Sequence, residues 1–198
     1  MKFLKNISAI AVFLCVCSSA SASVIFSDNF DRNNSNNVGN GWSEYEDDNN
    51  DVAIRSGVLR LRDTIWLSWV DAAASNNAST IGYDDIYLDF EWAASMNTEW
   101  TDTLHVSWND GSGWDDIWST NLGGSSFASV SLGAILGASN LANLQISFWT
   151  NVSRYNESAY IDNVVLRGTP TSVSNPSSIA LLGLGLLGLG LASRKKSA

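Results

Sequence analysis

Of 198 residues only two are cysteine, Cys15 and Cys17, and both lie in the first 17 positions. The remainder must fold without disulfides or thiolate metal ligands, held by its core alone. His105 is the only histidine, with no cysteine, serine elbow or second histidine to act with, so neither a nucleophilic triad nor a zinc site finds support. Lysine is missing between Lys5 and Lys195: the middle of the chain sets six arginines against all 20 acids, a net charge of −14. Such a surface repels nucleic acid and anionic lipid, which removes polyanion binding as a function, and it attracts calcium, a hard cation that prefers carboxylate and carbonyl oxygens. Long helical periodicity is missing as well, and apolar runs of any length occur only at the two ends.

Those ends read as processing segments. Lys2 and Lys5 precede an apolar run from Ile7 to Val16, and Ala20-Ser21-Ala22 has the small residues of a signal-peptidase site, so residues 1–22 are expected to leave as a signal peptide. Lipidation is disfavoured because neither cysteine follows a small residue. At the other end, a linker at 169–178 leads to an apolar segment at 179–193 and a basic tail at 194–198. Ile179 to Ala192 would reach only about 21 Å as a helix, against a hydrocarbon core of about 30 Å. That suits a transient hold in the membrane, with the basic cluster kept cytoplasmic and the acidic domain outside. Gly183, Gly185 and Gly188 spell G-x-G-x-x-G, but no βαβ unit or later acid accompanies them, so no nucleotide site is expected.

Residues 23–168 have the composition of a β protein. DIYLDFEW alternates Ile86, Leu88, Phe90 and Trp92 inward with Asp85, Tyr87, Asp89 and Glu91 outward, and TLHVSW turns Leu104, Val106 and Trp108 inward against Thr103, His105 and Ser107. NDGSG then turns the chain into the return strand WDDIWS. VIFSDNF, DVAIRS, VLRLRD, TIWLSWV, FASVSL, NLQISFWT and AYIDNVVLR complete about ten strands. That number implies two antiparallel sheets face to face, a jelly-roll sandwich. LGAILGASN reads as a short helix, and DRNNSNNVGNG and DAAASNNAST read as surface loops.

The alternation also sorts the aromatics. Trp92 and Trp108 belong to the core, whereas Trp149 falls opposite Leu144, Ile146 and Phe148. If their strands share a sheet, Tyr87, Asp89, Glu91, His105, Gln145 and Trp149 make one outward surface of acids, amides and rings, the chemistry that stacks on and hydrogen-bonds to a sugar. The alternative is an ordinary solvated sheet face. Asp89 and Glu91, about 6.6 Å apart at Cα, are the pair a glycosidase reading would use, but no third acid or cleft is indicated. Asp28 in the first strand and Asp162 in the last come together if those strands pair, as jelly-roll ends commonly do, and would then hold a structural calcium; otherwise they cap turns or pair with Arg32 and Arg167.

FSDNFD with a following GW, LDFEW, WNDGSGW and NESAYIDNVVLRG resemble, in that order, the concanavalin-like jelly-roll domains of the MAM-like and carbohydrate-binding-module type. That resemblance covers nearly all of residues 23–168. It implies recognition or adhesion rather than catalysis, with Asp28 and Asp162 at a calcium site. Pro176, Ser177-Ser178, the leucine-glycine run and Arg194-Lys195-Lys196 resemble the PEP-CTERM sorting signal of Gram-negative bacteria, with Ser174-Asn175-Pro176 where Pro-Glu-Pro is usual. This second resemblance implies export through the inner membrane, processing by an exosortase-type enzyme near Asn175-Pro176, and a place at the cell surface or outside it. The expected function is a non-catalytic module that binds or organises exopolysaccharide or a surface protein. A purely structural matrix protein and a glycan hydrolase are the alternatives.

Overall fold

The computed structural model describes residues 21–62, 72–124 and 126–171, with Gly183, Gly185 and Leu186 in helical conformation near the C-terminus. The described residues carry eleven strands: β1 (Ser23–Asp28), β2 (Trp42–Glu46), β3 (Val52–Arg55), β4 (Val58–Arg62), β5 (Ala72–Ala78), β6 (Tyr83–Ala94), β7 (Thr103–Asn109), β8 (Trp114–Asn121), β9 (Ala128–Leu132), β10 (Leu144–Asn151) and β11 (Ser158–Pro170). They form two antiparallel sheets, consistent with a jelly-roll sandwich. One sheet has the order β3-β4-β11-β6-β9 with β1 also on β11; the other has the order β2-β5-β10-β7-β8. Among the described residues no helix is long and apolar enough to cross a membrane. The expected signal peptide lies almost wholly outside the described residues, as do TIWLSWV and the Asn175-Pro176 sorting motif.

The expected faces are observed. Ile86, Leu88, Phe90 and Trp92 of β6, Leu104, Val106 and Trp108 of β7, and Leu144, Ile146 and Phe148 of β10 are all buried in one core between the sheets. Rings run through that core in contact: Phe30 and Phe26 on Trp42, Trp42 on Phe148, Phe148 on Phe90, Phe90 on Trp118, and Trp118 on Trp92. Four of these pairs are edge-to-face, an arrangement that adds about 0.5–1.5 kcal/mol each beyond the area buried.

The first and last strands do pair, Asp28 lying opposite Val164. β11 serves two partners along one edge: β4 lies beside residues 158–161 and β1 beside 164–168, with a bulge at Asp162–Val165 where Asn163 takes φ 50°. Where β11 passes between β1 and β6, Gly168 leaves no room for a side chain. A Cβ there would sit 2.8 Å from Ile86 Cδ1, 2.9 Å from Tyr83 Cβ and 3.1 Å from Ile25 Cδ1. Gly168→Ala is therefore expected to destabilise by about 1–3 kcal/mol, the usual cost of overpacking, as measured by urea denaturation.

Two local readings are corrected. LGAILGASN is not a helix: Leu132 ends β9, the Ile135 N–H donates to the Ile86 carbonyl at 2.8 Å, and Gly137 takes φ 86°. Ile135 and Ala138 are buried at the sandwich edge, whereas Leu136 stands exposed. DAAASNNAST is not a loop, because its Ala72–Ala78 portion is the inner strand β5, paired with β2 on one side and β10 on the other. Alanine and asparagine disfavour strands, and here two flanking ladders override that preference.

A groove across the second sheet

The six residues expected to share one surface divide between the two outer faces of the sandwich. Tyr87, Asp89 and Glu91 lie on β6 in the first sheet; His105, Gln145 and Trp149 lie on β7 and β10 in the second. The period-2 pattern assigned each side chain its face correctly but carried no information about which sheet each strand would join.

On the first sheet the acids are engaged locally. Arg167 Nη2 donates to Asp89 Oδ1 at 3.0 Å, Arg167 lies 5.4 Å over the Tyr87 ring, and Ser131 Oγ also donates to Asp89. The Arg167 guanidinium holds the Asp89 carboxyl below its ordinary range, with the Ser131 donor adding to the effect. Glu91 accepts from Ser129 Oγ at 3.2 Å and Asn163 Nδ2 at 2.9 Å. These are cross-strand pairs that hold β9 and β11 against β6.

The outer face of the second sheet is different. Register aligns three rows across it. One row runs Tyr45, Ala73, Trp149, His105, Ser119; the next runs Ser43, Ser75, Ser147, Ser107, Asp116; the third runs Asn77, Gln145, Asn109, Trp114. A groove of about 480 Å³ lies over part of this face, lined by Tyr45, Ala73, Ser75, Ser147, Trp149 and Trp114 among others, with Asn77, Gln145 and Asn109 outside its lining. Tyr45 and Trp114 stand exposed on β2 and β8, the two edge strands, so the aromatic-flanked trough is about 19 Å wide at the roughly 4.8 Å spacing of strands. The alanine and serine residues of β5 and the serine of β10 keep its floor low.

Trp149 is a fixed platform at the centre. His105 stacks on one face of its ring, with centroids 3.8 Å apart and planes 10° from parallel. The Trp149 Nε1–H donates to Ser107 Oγ at 2.7 Å, Ser107 Oγ donates to Asp116 Oδ1, and His105 Nδ1 lies 3.2 Å from Asp116 Oδ2. The neighbour on the other side is Ala73, too short to cover the indole, so its second face is open to the groove.

A bulge creates part of this arrangement. Val106 pairs with Trp118 but Ser107 pairs with Asp116, leaving Ile117 as the extra residue. Trp118 thereby faces the core while Asp116 and Trp114 face the groove. Of the residues expected to form a binding surface, Trp149 lines this groove, His105 backs its ring, and Gln145 lies on the same face outside the lining; Tyr45, Trp114, Asp116 and the serine row were not expected there. WSEYE offers no clean apolar alternation, since its inward-parity acids are used as caps: Glu44 accepts from the Val38 N–H at 2.5 Å and Glu46 from the Val52 N–H at 2.9 Å.

The proposed calcium pair does not suit a cation. Asp28 is buried, and its oxygens accept from five protein donors: Phe30 N–H at 2.8 Å, Arg32 at 2.7 and 3.0 Å, Asn40 Nδ2 at 3.0 Å and Trp42 Nε1 at 2.8 Å. A metal would have to displace a guanidinium and an indole to reach it. Asp162 accepts instead from its neighbour's Asn163 N–H at 2.7 Å. Burial raises the Asp162 carboxyl above its ordinary value, with Glu91, Asp28 and Asp31 adding to the effect.

No protein-family model matches the sequence, and no curated protein matches it. Among solved structures, a family 29 carbohydrate-binding module is similar at TM-score 0.49 and 12% identity over 76% of this chain and 90% of that one. The C-terminal family 22 carbohydrate-binding module of Clostridium thermocellum Xyn10B is similar at 0.47 and 13% over 76% and 96%. The K3 cleaved adhesin domain of the Lys-gingipain of Porphyromonas gingivalis reaches TM-score 0.55 at 9% identity over 74% of this chain and 99% of that one, a likeness of fold in which nearly the whole adhesin domain superposes on the β-sandwich described above.

Proposed function

We propose that the domain is a non-catalytic module that binds a polysaccharide chain in the groove across β2-β5-β10-β7-β8. The observation that carries this reading is the set of three solvent-facing rings, Tyr45, Trp149 and Trp114, standing over a floor of alanine and serine within one open trough. Rings stack on the apolar faces of pyranoses, while serine and tyrosine hydroxyls and the Asp116 carboxylate exchange hydrogen bonds with sugar hydroxyls. A trough open across five strands accepts the middle of a chain, not just its end. The acids suit binding and not hydrolysis: Asp89 is neutralised by Arg167 on the far face, and Asp116 in the groove is bonded to Ser107 and His105. A panel of soluble polysaccharides tested by affinity electrophoresis and calorimetry is expected to yield at least one that binds; a panel without any binder would favour a purely structural matrix role.

The ends of the chain complete the proposal. Signal-peptide removal after Ala22, export through the inner membrane of a Gram-negative bacterium, brief retention by residues 179–193 and exosortase-type cleavage near Asn175-Pro176 would deliver the module to the surface or the matrix. Mass spectrometry of the extracellular form is expected to find a C-terminus upstream of Arg194; a chain still carrying Lys196 overturns the sorting step.

A further inference from the structure

Away from the groove, the β6–β7 and β10–β11 loops both cross from one sheet to the other, and they meet at the same rim of the sandwich. They bring Glu99, Asp102 and Glu157 together, each offering a carboxylate oxygen within 4.8 Å of the others. Asp102 is 2% exposed and Glu157 0%. Arg154 lies 3.0 Å from Glu99, itself half-exposed, and is the one cation seen paired with the cluster among the described residues.

Donors reach all of the carboxylate oxygens but one. Ser153 supplies most of them: its N–H donates to Glu157 Oε2 at 2.9 Å and reaches Asp102 Oδ1 at 3.2 Å, while its hydroxyl lies 3.3 Å from both Glu157 Oε2 and Glu99 Oε2. The Glu99 N–H donates to Asp102 Oδ2 at 2.6 Å. Glu157 Oε1 is buried, and among the described residues it has no hydrogen-bond partner. A buried carboxylate oxygen with no protein donor, beside a second buried carboxylate, is costly in its charged form, and a bound cation would offset that cost.

We propose that Glu99, Asp102 and Glu157 hold a calcium ion that fastens the two sheet-crossing loops together. The oxygen-only donor set selects a hard cation. Loop-borne carboxylates suit calcium better than magnesium, because calcium accepts six to eight oxygens in flexible geometry whereas magnesium demands a near-ideal octahedron and keeps several waters. Loop backbone and water would supply the remaining ligands, as they do wherever calcium takes six to eight oxygens. The site is distinct from Asp28, whose oxygens are already taken by N–H donors, and from Asp162.

The test is thermal unfolding of the full chain after chelation, titrated with calcium chloride, with sodium chloride at equal ionic strength and magnesium chloride as comparisons. Calcium at a hundredfold excess over its Kd is expected to raise the Tm by roughly 5–10 °C. Glu157→Gln should abolish that rise, and equilibrium dialysis should lose one calcium per chain. Glu99→Gln, at a half-exposed position where folding is not at risk, should shift the calcium midpoint upward by about tenfold or more, the loss of one charged ligand from three. A Tm indifferent to calcium, an equal rise with sodium or magnesium, or an unchanged midpoint in Glu99→Gln overturns the assignment.

Discussion

Trp149→Ala is expected to weaken glycan binding by at least about 30-fold, roughly 2 kcal/mol, which is the scale of a central aromatic hot spot. The reason lies in how the ring is held. His105 backs one face and Ser107 takes the Nε1 proton, so the indole loses little conformational freedom when a sugar stacks on the other face. Truncation removes the platform but none of the core, because the side chain projects from the outer face of β10, and the Tm is expected to move little. Ser75→Tyr probes the same groove from the opposite direction: it adds a ring to the floor in the serine row, between Ser43 and Ser147, and should block binding by filling the trough. Calorimetry with the best polysaccharide from the panel reads both variants, with near-ultraviolet circular dichroism confirming the fold. Wild-type affinity in both would mean that the ligand, if any, binds elsewhere.

Asp28→Asn is expected to cost about 3 kcal/mol of stability, at the low end for breaking a buried ion pair because Arg32 can still reach water. An amide cannot accept from five donors, so the Trp42 indole or the Phe30 N–H would be left unsatisfied beneath the β1–β2 loop. For a domain of this size the Tm should fall by roughly 6–12 °C. The loss also has a pH signature. Burial alone would raise the Asp28 carboxyl, but the donors from Arg32, Asn40, Phe30 and Trp42 outweigh it and hold the folded value below the ordinary 3.8. A depressed carboxylate contributes its stability above its unfolded value and loses it as pH falls through the folded one. The gap between wild type and Asp28→Asn in urea should therefore be full at neutral pH, begin to close near pH 3.8 and vanish below the lower, folded value. A gap independent of pH would show that the cost is steric instead.

Several elements were legible in the residues alone. The strict alternation of DIYLDFEW, TLHVSW and NLQISFWT fixes which side chains enter the core, because a one-residue slip would expose every apolar group at once. The turn at Asn109–Gly113 was equally readable: Asn109 Oδ1 accepts from the Gly111 N–H at 2.7 Å and Asp110 Oδ1 from the Ser112 N–H at 2.8 Å, as Asx side chains do in turns. Pairing of the first strand with the last was expected and occurs.

The groove was only partly legible. Its floor strand, AAASNNA, looks like a loop by propensity, since its value lies in having small side chains where a ligand needs space. Its flanking ring Tyr45 sits in a segment whose inward acids serve as caps, and its other ring, Trp114, faces outward together with Asp116 through a bulge that no periodicity reveals. Likewise, Glu99, Asp102 and Glu157 lie up to 58 residues apart and meet only because both sheet-crossing loops end at one rim.

By itself, then, the sequence determined the charge, the strand faces and the two-sheet class, because these depend on composition and on a local period of two. Only the tertiary structure decided that Tyr87, Asp89 and Glu91 stand on the opposite side of the sandwich from His105, Gln145 and Trp149, and that Asp28 belongs to Arg32 and Trp42. Which sheet a strand joins is set by long-range pairing between segments distant in the chain, and a period of two is the same in either sheet.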